Sequence, residues 1–330
     1  MPPVKHRNKW RFLVRENGER NWKSFATYEE AKKAHETYME SRKNSKNAIH
    51  VEIASIEEID DIENLWDYVE ENQHVKRSDF PQIFLPNKPF AIVFLSDLHI
   101  GSSGVDYKQV RLDAETVKNT ENMYAVFHGD GIDNWIIPKL APLQRGQLIP
   151  FDKEIALFKA WLTTIQEKLI AVVAGNHDNW TTKMSGIDWL HGVVAPHALY
   201  DSQQMIFDVN FGNKSLRICV RHKWRGTSIH NPTHGLERAS KDIDADIYVG
   251  GHTHIGTLFR GFVVRNKYRI AVLTGTYKNH DNFARELNLP DSMHSGSGAV
   301  IVDVDGTMTW TQNVQEAADY VKFKNEKVVQ

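Results

Sequence analysis

Cysteine is almost missing from this chain, since Cys219 is the only one among 330 residues. One thiol cannot form a disulfide framework, a thiolate zinc site or an iron–sulfur cluster, because each of these needs several cysteines. A single cysteine is also consistent with a reducing compartment. A metal site in this protein would therefore depend on oxygen and imidazole ligands.

Long hydrophobic runs are lacking as well. None approaches the roughly 20 apolar residues that a membrane span needs, and the start Met1-Pro2-Pro3-Val4-Lys5 has no apolar stretch typical of a signal peptide. We therefore expect a cytoplasmic protein with no membrane partner. The composition, 41% hydrophobic and 25% charged, is typical of a globular chain long enough to bury a sizeable core.

Five short segments carry metal-ligand side chains directly after strand-like apolar runs. They are Ser96-Asp97-Leu98-His99, Gly129-Asp130-Gly131-Ile132-Asp133, Gly175-Asn176-His177-Asp178, Arg221-His222 and Gly250-Gly251-His252-Thr253-His254. The preceding runs, 91–95, 123–127, 169–173, 216–220 and 247–249, predict buried strands. Since sites in α/β proteins gather at the carboxyl ends of strands, we expect these side chains to converge.

The ligand types indicate a pair of divalent cations. Two cations about 3.5–4 Å apart need a carboxylate between them and neutral imidazoles around them. Imidazole and carboxylate ligands suit zinc, manganese, iron or nickel.

The ordered set Asp-x-His, Gly-Asp-x-x-Asp, Gly-Asn-His-Asp, His and Gly-His-x-His resembles the calcineurin-like metallophosphoesterase superfamily, over roughly residues 88–312. The resemblance implies an α/β sandwich of two mixed β-sheets flanked by helices. It also implies two divalent metal ions, with manganese expected and iron, zinc, nickel or magnesium as alternatives. The first metal would be held by Asp97, His99, Asp130 and His254, and the second by Asp130, Asn176, His222 and His252. His230 and His234, close downstream, are alternatives to His222.

The same resemblance implies a mechanism in which hydroxide between the metals attacks phosphorus in line. His177 would be the general acid, with Asp178 orienting its imidazole and raising its pKa, and Asp133 would lie behind the metal ligands. Sequence proximity to the ligands places further candidate substrate contacts at Arg225, Asn179, Tyr277 and Lys278.

The first 50 residues are basic, with twelve Lys and Arg against six Glu, whereas residues 51–80 hold ten acidic residues against two basic ones. Two strands, a turn at 16–19 and a helix opened by a Thr27–Glu30 capping box predict a small ββα module. Its residues resemble the later part of AP2-like and integrase-type DNA-binding domains. That resemblance implies DNA contacts at Arg11, Arg15, Arg20 and Lys23.

We therefore expect a basic module at 1–50, an acidic helix and proline-containing linker at 51–87, the metallophosphoesterase domain at 88–315 and a tail at 316–330. The predicted function is hydrolysis of phosphoester bonds, in the first instance as a phosphodiesterase or nuclease acting on DNA. A phosphomonoesterase, a nucleotide or cyclic-nucleotide hydrolase, and a DNA-binding protein without turnover are the alternatives.

Overall fold

The structure is a computed structural model that divides into two compact units, Met1–Lys76 and Arg77–Gln330. It describes residues 3–6, 9–16, 19–43, 66, 80–140, 146–194, 197–228, 230–280 and 296–328. The acidic helix predicted near residues 55–69 lies outside this described part, apart from Trp66.

The N-terminal unit is an antiparallel sheet of three strands followed by a helix. The strands are β1 (Val4–His6), β2 (Lys9–Glu16) and β3 (Glu19–Phe25), in spatial order β1-β2-β3, and the helix is α1 (Tyr28–Lys43). The structure thus has one strand, β1, before the predicted ββα pattern. Val4 of β1 pairs with Arg11 of β2. Three residues are too few for a periodic signal, so the sequence did not predict β1.

Helix α1 begins as predicted. The Thr27 hydroxyl accepts from the Glu30 amide at 3.4 Å, and the Glu30 carboxylate accepts from the Thr27 amide at 3.2 Å. One face of the sheet packs on this helix through Phe12, whose ring meets His35 edge-on. Phe12, Val14 and Ala31 form the buried core of the unit.

The larger unit alternates strands and helices. Its elements are β4 (Gln82–Phe84), β5 (Phe90–Leu95), α2 (Tyr107–Asn119), β6 (Met123–Phe127), α3 (Phe151–Ile165), β7 (Leu169–Val173), α4 (Asn176–Ser185), α5 (Trp189–Val194), β8 (Leu199–Asp201), β9 (Met205–Phe211), β10 (Lys214–Val220), α6 (His234–Ala239), β11 (Ile247–Gly250), β12 (Leu258–Val264), β13 (Lys267–Leu273), β14 (Ser297–Val302), β15 (Met308–Thr311) and α7 (Val314–Val328). The predicted strands 123–127 and 169–173 match these bounds, and the predicted strands 91–95, 216–220 and 247–249 are observed with shifted ends.

Two mixed six-stranded sheets form a sandwich, as the family resemblance implied. One has the order β15-β14-β5-β6-β7-β8, and the other β12-β13-β11-β10-β9-β4. Strands β5 to β8 are parallel, and β14 joins β5 in the opposite direction. In the second sheet β10, β11 and β13 are parallel, with antiparallel neighbours on both sides.

The alternation of side chains along β5 separates two cores. Ile92 and Phe94 pack between the sheets, among residues of β9, β10, β11 and β13. Val93 and Leu95 point to the opposite side and pack against helices α2, α3 and α7. Because each fully buried aliphatic or aromatic side chain contributes about 1.5–3 kcal/mol, this double burial holds the strand ends that carry the site in place.

The C-terminal segment differs from the predicted tail. Residues 314–328 form α7, and Val314, Ala317, Ala318 and Val321 are buried in the helix-covered core. Their spacing of three and four residues places them on one helix face. No helix in the described residues is long and apolar enough to cross a bilayer.

Candidate metal centre

All five predicted segments lie directly after strand ends. Asp97 and His99 follow β5, Asp130 follows β6 and Asn176 begins α4 just beyond β7. These three strands are parallel, so their carboxyl ends share one edge. In the second sheet, the segment with His222 follows β10, and the segment with His252 and His254 follows β11. These two strands are also parallel to each other. We therefore find the segments gathered where the two sheet edges meet.

The backbone at these positions is unusual. Asp97, His99, Asp130, His252 and His254, five of the seven predicted ligands, have φ between 47° and 72°. Residues other than glycine avoid this left-handed region, and each such residue costs on the order of 1–3 kcal/mol. Strain of this kind persists where the surrounding structure imposes it, and it concentrates at functional sites.

Two glycines beside the ligand residues are required for different physical reasons. Gly129 has φ of 105°, which other residues rarely adopt. Gly175 has an ordinary φ of −90°, but a Cβ there would lie 2.1 Å from Asp130 Oδ1. Gly175 is therefore required because the Asp130 carboxylate approaches the backbone closely, and not because the chain turns there.

One ligand group consists of Asp97, His99 and His254, whose ligand atoms all lie within 4.8 Å of one another. His254 Nε2 is 2.9 Å from Asp97 Oδ1 and 3.1 Å from His99 Nε2. The Ser96 hydroxyl and the His252 amide hold the second oxygen of Asp97. Three ligand atoms thus face a common point.

A second group consists of Asp130, His222 and His252 within the same 4.8 Å limit. His222 Nδ1 donates to the His128 carbonyl at 2.8 Å, which leaves Nε2 directed at Asp130 Oδ2, 3.1 Å away. A hydrogen bond of this kind fixes the tautomer of a metal-ligating histidine. Both alternatives to His222 are exposed, since His230 and His234 lie at the surface.

Two buried atoms of the predicted ligands have no hydrogen-bond partner in the described part of the chain: Asn176 Oδ1 and His222 Nε2. The 3.1 Å approach of His222 to Asp130 does not produce a hydrogen bond of acceptable geometry. Leaving a polar atom buried and unpaired costs about 1–3 kcal/mol. A cation among these atoms would satisfy both, so the residues present fit a bound metal.

A third group, His99, Asp130 and His177, was not expected from the ligand pattern. The His177 amide donates to Asp130 Oδ1 at 2.8 Å, and its Nδ1 is within hydrogen-bond distance of the Asp133 carbonyl. Trp180 packs on the His177 ring, with centroids 3.9 Å apart. His177 therefore lies at the centre, with Nε2 as its uncommitted nitrogen.

The predicted role of Asp178 is corrected by its contacts. Its carboxylate accepts from the backbone amides of Asp130 at 2.7 Å, Gly131 at 3.1 Å and Gly175 at 2.9 Å, and not from the His177 ring. Burial lowers the pKa of His177 to about 4, whereas burial and Asp130 raise the pKa of Asp178 to about 6. Asp178 thus ties two ligand-bearing loops together and does not orient the imidazole.

Asp133 is the centre of a buried polar cluster behind His99. Its carboxylate accepts from His99 Nδ1 at 2.9 Å, Lys278 Nζ at 3.0 Å, Trp135 Nε1 at 2.7 Å and Gln147 Nε2 at 2.7 Å. Four side chains from separate parts of the chain therefore converge on one carboxylate. Asp133 therefore lies behind His99, within hydrogen-bond distance of its ring.

The four residues predicted to contact substrate lie in different surroundings. Lys278 is buried and paired with Asp133, and the Tyr277 hydroxyl donates to Asp113 at 2.6 Å. Asn179 donates to the Ser202 carbonyl at 3.0 Å. Arg225 is exposed. Proximity in sequence to a ligand motif does not reveal which way a side chain points, and a substrate role for these four residues stays a prediction.

Charges in the metal-free cluster are strongly coupled. Burial opposes ionisation of Asp97 and Asp130, but the surrounding imidazoles outweigh it and hold both pKa values well below the usual range. Burial likewise opposes a charge on His99, yet contacts with Asp133 and Asp97 raise its pKa to about 10. The carboxylates raise the pKa of His222 to about 9 against the same opposition. The site thus attracts positive charge.

Comparisons with known proteins add little. No family model and no curated protein matches the chain. Among solved structures, the crystal structure of Chaetomium thermophilum Vps29 is similar over 67% of this chain and 93% of that one, with 15% identity and a TM-score of 0.33. Its complex with the RaPID-derived cyclic peptide RT-D3 gives 13% identity over 68% and 94% of the two chains, with the same TM-score of 0.33. Likeness at this level says nothing about the site.

Proposed function

We propose that this protein is a metal-dependent phosphoesterase with a dinuclear centre, acting on phosphodiester bonds of nucleic acid. The observation that carries the proposal is the pair of ligand groups, Asp97 with His99 and His254 and Asp130 with His222 and His252. Among them, the buried Asn176 Oδ1 and His222 Nε2 have no hydrogen bond within the described residues. When bound, paired divalent ions activate water and neutralise charge on phosphoryl oxygens.

The chain's own residues divide the remaining work. His177 presents Nε2 to the site because its Nδ1 is held at the Asp133 carbonyl, so the protonated form of this imidazole is placed to give a proton to a leaving oxygen. Asp133 keeps the His99 ring in one orientation. Asp178 fixes the loop that carries Asp130 to the start of α4.

A diester substrate agrees with the charge distribution around the site. Of the two cations assigned to substrate from sequence, Lys278 is paired with Asp133 at 3.0 Å, so its charge is already compensated, which leaves the exposed Arg225. A singly charged phosphodiester requires less positive charge from the protein than a doubly charged monoester. This favours the phosphodiester over the monoester.

The test is hydrolysis of bis-p-nitrophenyl phosphate, compared with p-nitrophenyl phosphate, in the presence of manganese. We expect faster turnover of the diester, and its loss by at least 100-fold in Asp130→Asn and His252→Ala. Asp152→Asn and His197→Ala, at exposed positions, are the matched controls and should retain turnover. Metal binding without hydrolysis of either ester would favour the alternative that the protein binds metal but is not an enzyme.

We also propose that the N-terminal unit binds nucleic acid through the sheet face opposite α1. Phe12 packs on the helix, so Lys9 and Arg11 alternate to the other face, where the Arg11 guanidinium lies 4.4 Å from the centre of the Trp22 ring. A cation beside an exposed aromatic ring suits phosphate and base contacts.

The four predicted DNA contacts are not equivalent on this sheet. Lys23 is the register partner of Phe12 and so shares the helix-covered face, unlike Arg11. Arg15 and Arg20 pair with each other near the hairpin end, and their side chains lie outside the described part of the chain. Arg11 is therefore the predicted contact that the geometry supports best.

Duplex affinity measured across salt concentrations tests this surface. Deleting residues 1–50, or reversing charge with Lys9→Glu and Arg11→Glu, should weaken binding and reduce the salt slope by about 0.9 for each phosphate that the protein no longer neutralises. Lys32→Glu with Lys33→Glu makes the same charge change on exposed positions of α1 and should have a smaller effect. Undiminished affinity after the deletion would rule this surface out.

A further inference from the structure

The loop after β13 is tied to the first ligand group, which consists of Asp97, His99 and His254. We call residues 274–280, which directly follow this strand, the β13 loop. The Tyr277 amide donates to the Asp97 carbonyl at 3.1 Å, and the Thr276 hydroxyl donates to the same oxygen at 2.9 Å. Asp97 has a φ of 53° in the strained left-handed region. The β13 loop therefore helps to hold the backbone of a predicted metal ligand.

Lys278 extends from the β13 loop to Asp133, the carboxylate behind His99. Its ammonium lies 3.0 Å from Oδ1 and 3.3 Å from Oδ2 of Asp133, and its side chain is 4% exposed. His99 Nδ1 lies 2.9 Å from the same Oδ1. Lys278 and His99 thus share one carboxylate oxygen, so a shift of Asp133 would change the orientation of the His99 ring.

The backbone contacts of Lys278 fix the place from which its side chain starts. Its amide donates to the Thr276 hydroxyl at 3.0 Å, and the residue forms an antiparallel bridge with Val105. A long, flexible side chain loses much conformational freedom when it is buried, and a buried ammonium is costly unless its charge is compensated. Lys278 is therefore held beside Asp133 by a fixed backbone and an opposite charge.

Positive charge distinguishes Lys278 from two other side chains that donate to Asp133. Trp135 Nε1 and Gln147 Nε2 reach Oδ2 at 2.7 Å each, and both are neutral donors. A ligating imidazole is neutral as well, so Lys278 supplies positive charge to Asp133 in the metal-bound state. A buried carboxylate that loses its cation is strongly destabilised where it lies. Without Lys278, Asp133 would not be held in the position that orients His99.

We propose that Lys278 is a positioning residue for the metal ion of the first ligand group, because it holds Asp133 and through it His99. The inference rests on the proposed function, since it concerns one half of the dinuclear centre. In the second ligand group, His222 is oriented by the His128 carbonyl at 2.8 Å. Loss of Lys278 should therefore weaken metal binding at the first group and leave the second group occupied.

Electron paramagnetic resonance of the full-length protein, titrated with manganese, tests this role without requiring turnover. Two manganese ions about 3.5–4 Å apart give a spin-coupled spectrum, whereas a single bound ion gives the spectrum of an isolated ion. For Lys278→Met we expect the isolated-ion spectrum at a manganese concentration that fills both positions of the unchanged protein. The manganese affinity of the first group should fall about 10–100-fold.

Lys324→Met is the matched control, because it breaks another Lys–Asp pair, on α7, where Lys324 Nζ lies 2.9 Å from Asp303 Oδ2. This variant should keep the coupled spectrum. Lys278→Gln carries no charge, is one bond shorter and stays polar, so it covers the case in which circular dichroism shows Lys278→Met to be unfolded. The same loss of coupling is expected for it. A coupled spectrum with unchanged affinity in either folded Lys278 variant would overturn the inference.

A double variant shows whether Lys278 acts through Asp133. If it does, the manganese affinity of Asp133→Asn with Lys278→Met should equal that of Asp133→Asn alone within about twofold, because the second change removes no further contact to His99. An additional loss of about tenfold in the double variant would mean that Lys278 acts on the centre by another route, and would overturn the inference.

Hydrolysis of bis-p-nitrophenyl phosphate by the same preparations separates the two proposals. A coupled spectrum that depends on Lys278, in a protein that hydrolyses neither the diester nor the monoester, would overturn the phosphoesterase proposal alone. Hydrolysis by the unchanged protein, with a coupled spectrum that survives Lys278→Met, would overturn the role of Lys278 alone. A single bound manganese ion in the unchanged protein would overturn both.

Discussion

Asp133 contacts the proposed metal centre through the His99 ring. Second-layer carboxylates of this kind fix ring orientation and raise ligand basicity, and their loss costs about 10–100-fold in metal affinity. We expect that loss for Asp133→Asn, measured by manganese titration. Asp152→Asn, on the exposed start of α3, is the control. Unchanged affinity would mean that His99 is held by other contacts.

Protons and metal ions compete for the same imidazoles. The pKa of His99 is raised to about 10 and that of His222 to about 9, so both are protonated at pH 7 in the metal-free protein. Ligation needs neutral imidazole, and metal affinity should therefore rise with pH up to about 9–10. Calorimetry at pH 7 in buffers of different ionisation enthalpy should show release of about two protons. Binding without proton release contradicts this expectation.

At the scale of elements, Asp178 joins two loops. Its carboxylate is buried and accepts three backbone amides around the ends of β6 and β7. Asp178→Ala leaves these donors unpaired, and we expect the free energy of unfolding to fall by about 3 kcal/mol or more. Urea unfolding measures this loss. Asp319→Ala, at an exposed position of α7, should change stability by less than about 0.5 kcal/mol.

Helix α7 is a structural element of the larger unit. Val321 is fully buried against the sheet, whereas the adjacent Lys322 is exposed. Val321→Asp would bury an unpaired charge and should reduce the free energy of unfolding by about 3 kcal/mol. Lys322→Asp introduces the same residue at the surface. Similar thermal midpoints for the two variants would indicate that α7 does not pack as described.

At the scale of the whole molecule, metal binding and folding should be linked. The ligands come together from both sheets only in the native state, so an ion binds the folded chain preferentially. Manganese at about 100 times its dissociation constant should add about 2.7 kcal/mol of stability. Calorimetric melting with manganese and then with a chelator measures the shift. His252→Ala should reduce it, and a shift of equal size in that variant would place the metal elsewhere.

The ligand set and the strands that carry it could be predicted because their signals are local. Apolar runs end at residues whose chemistry already indicates a cation, and parallel strands bring such ends to one edge. The short strand β1 and the helical C-terminus were not predicted. Three strand residues carry too weak a periodic signal, whereas the spacing of Val314, Ala317, Ala318 and Val321 is a local helical signal already present in the sequence.

The sequence by itself determined the ligand chemistry, the strands that carry the ligands and the basic N-terminal unit, because residue type and periodicity are properties of neighbouring residues. The two-sheet architecture was expected only through the family resemblance of the motifs. Only the tertiary structure decided that Lys278 pairs with Asp133, 145 residues away, and that Asp178 serves backbone amides and not the His177 ring. It also decided which acceptors in the described residues remain buried without a partner. The physical reason is that the direction and environment of a side chain are set by long-range packing, which strand and helix patterns do not encode.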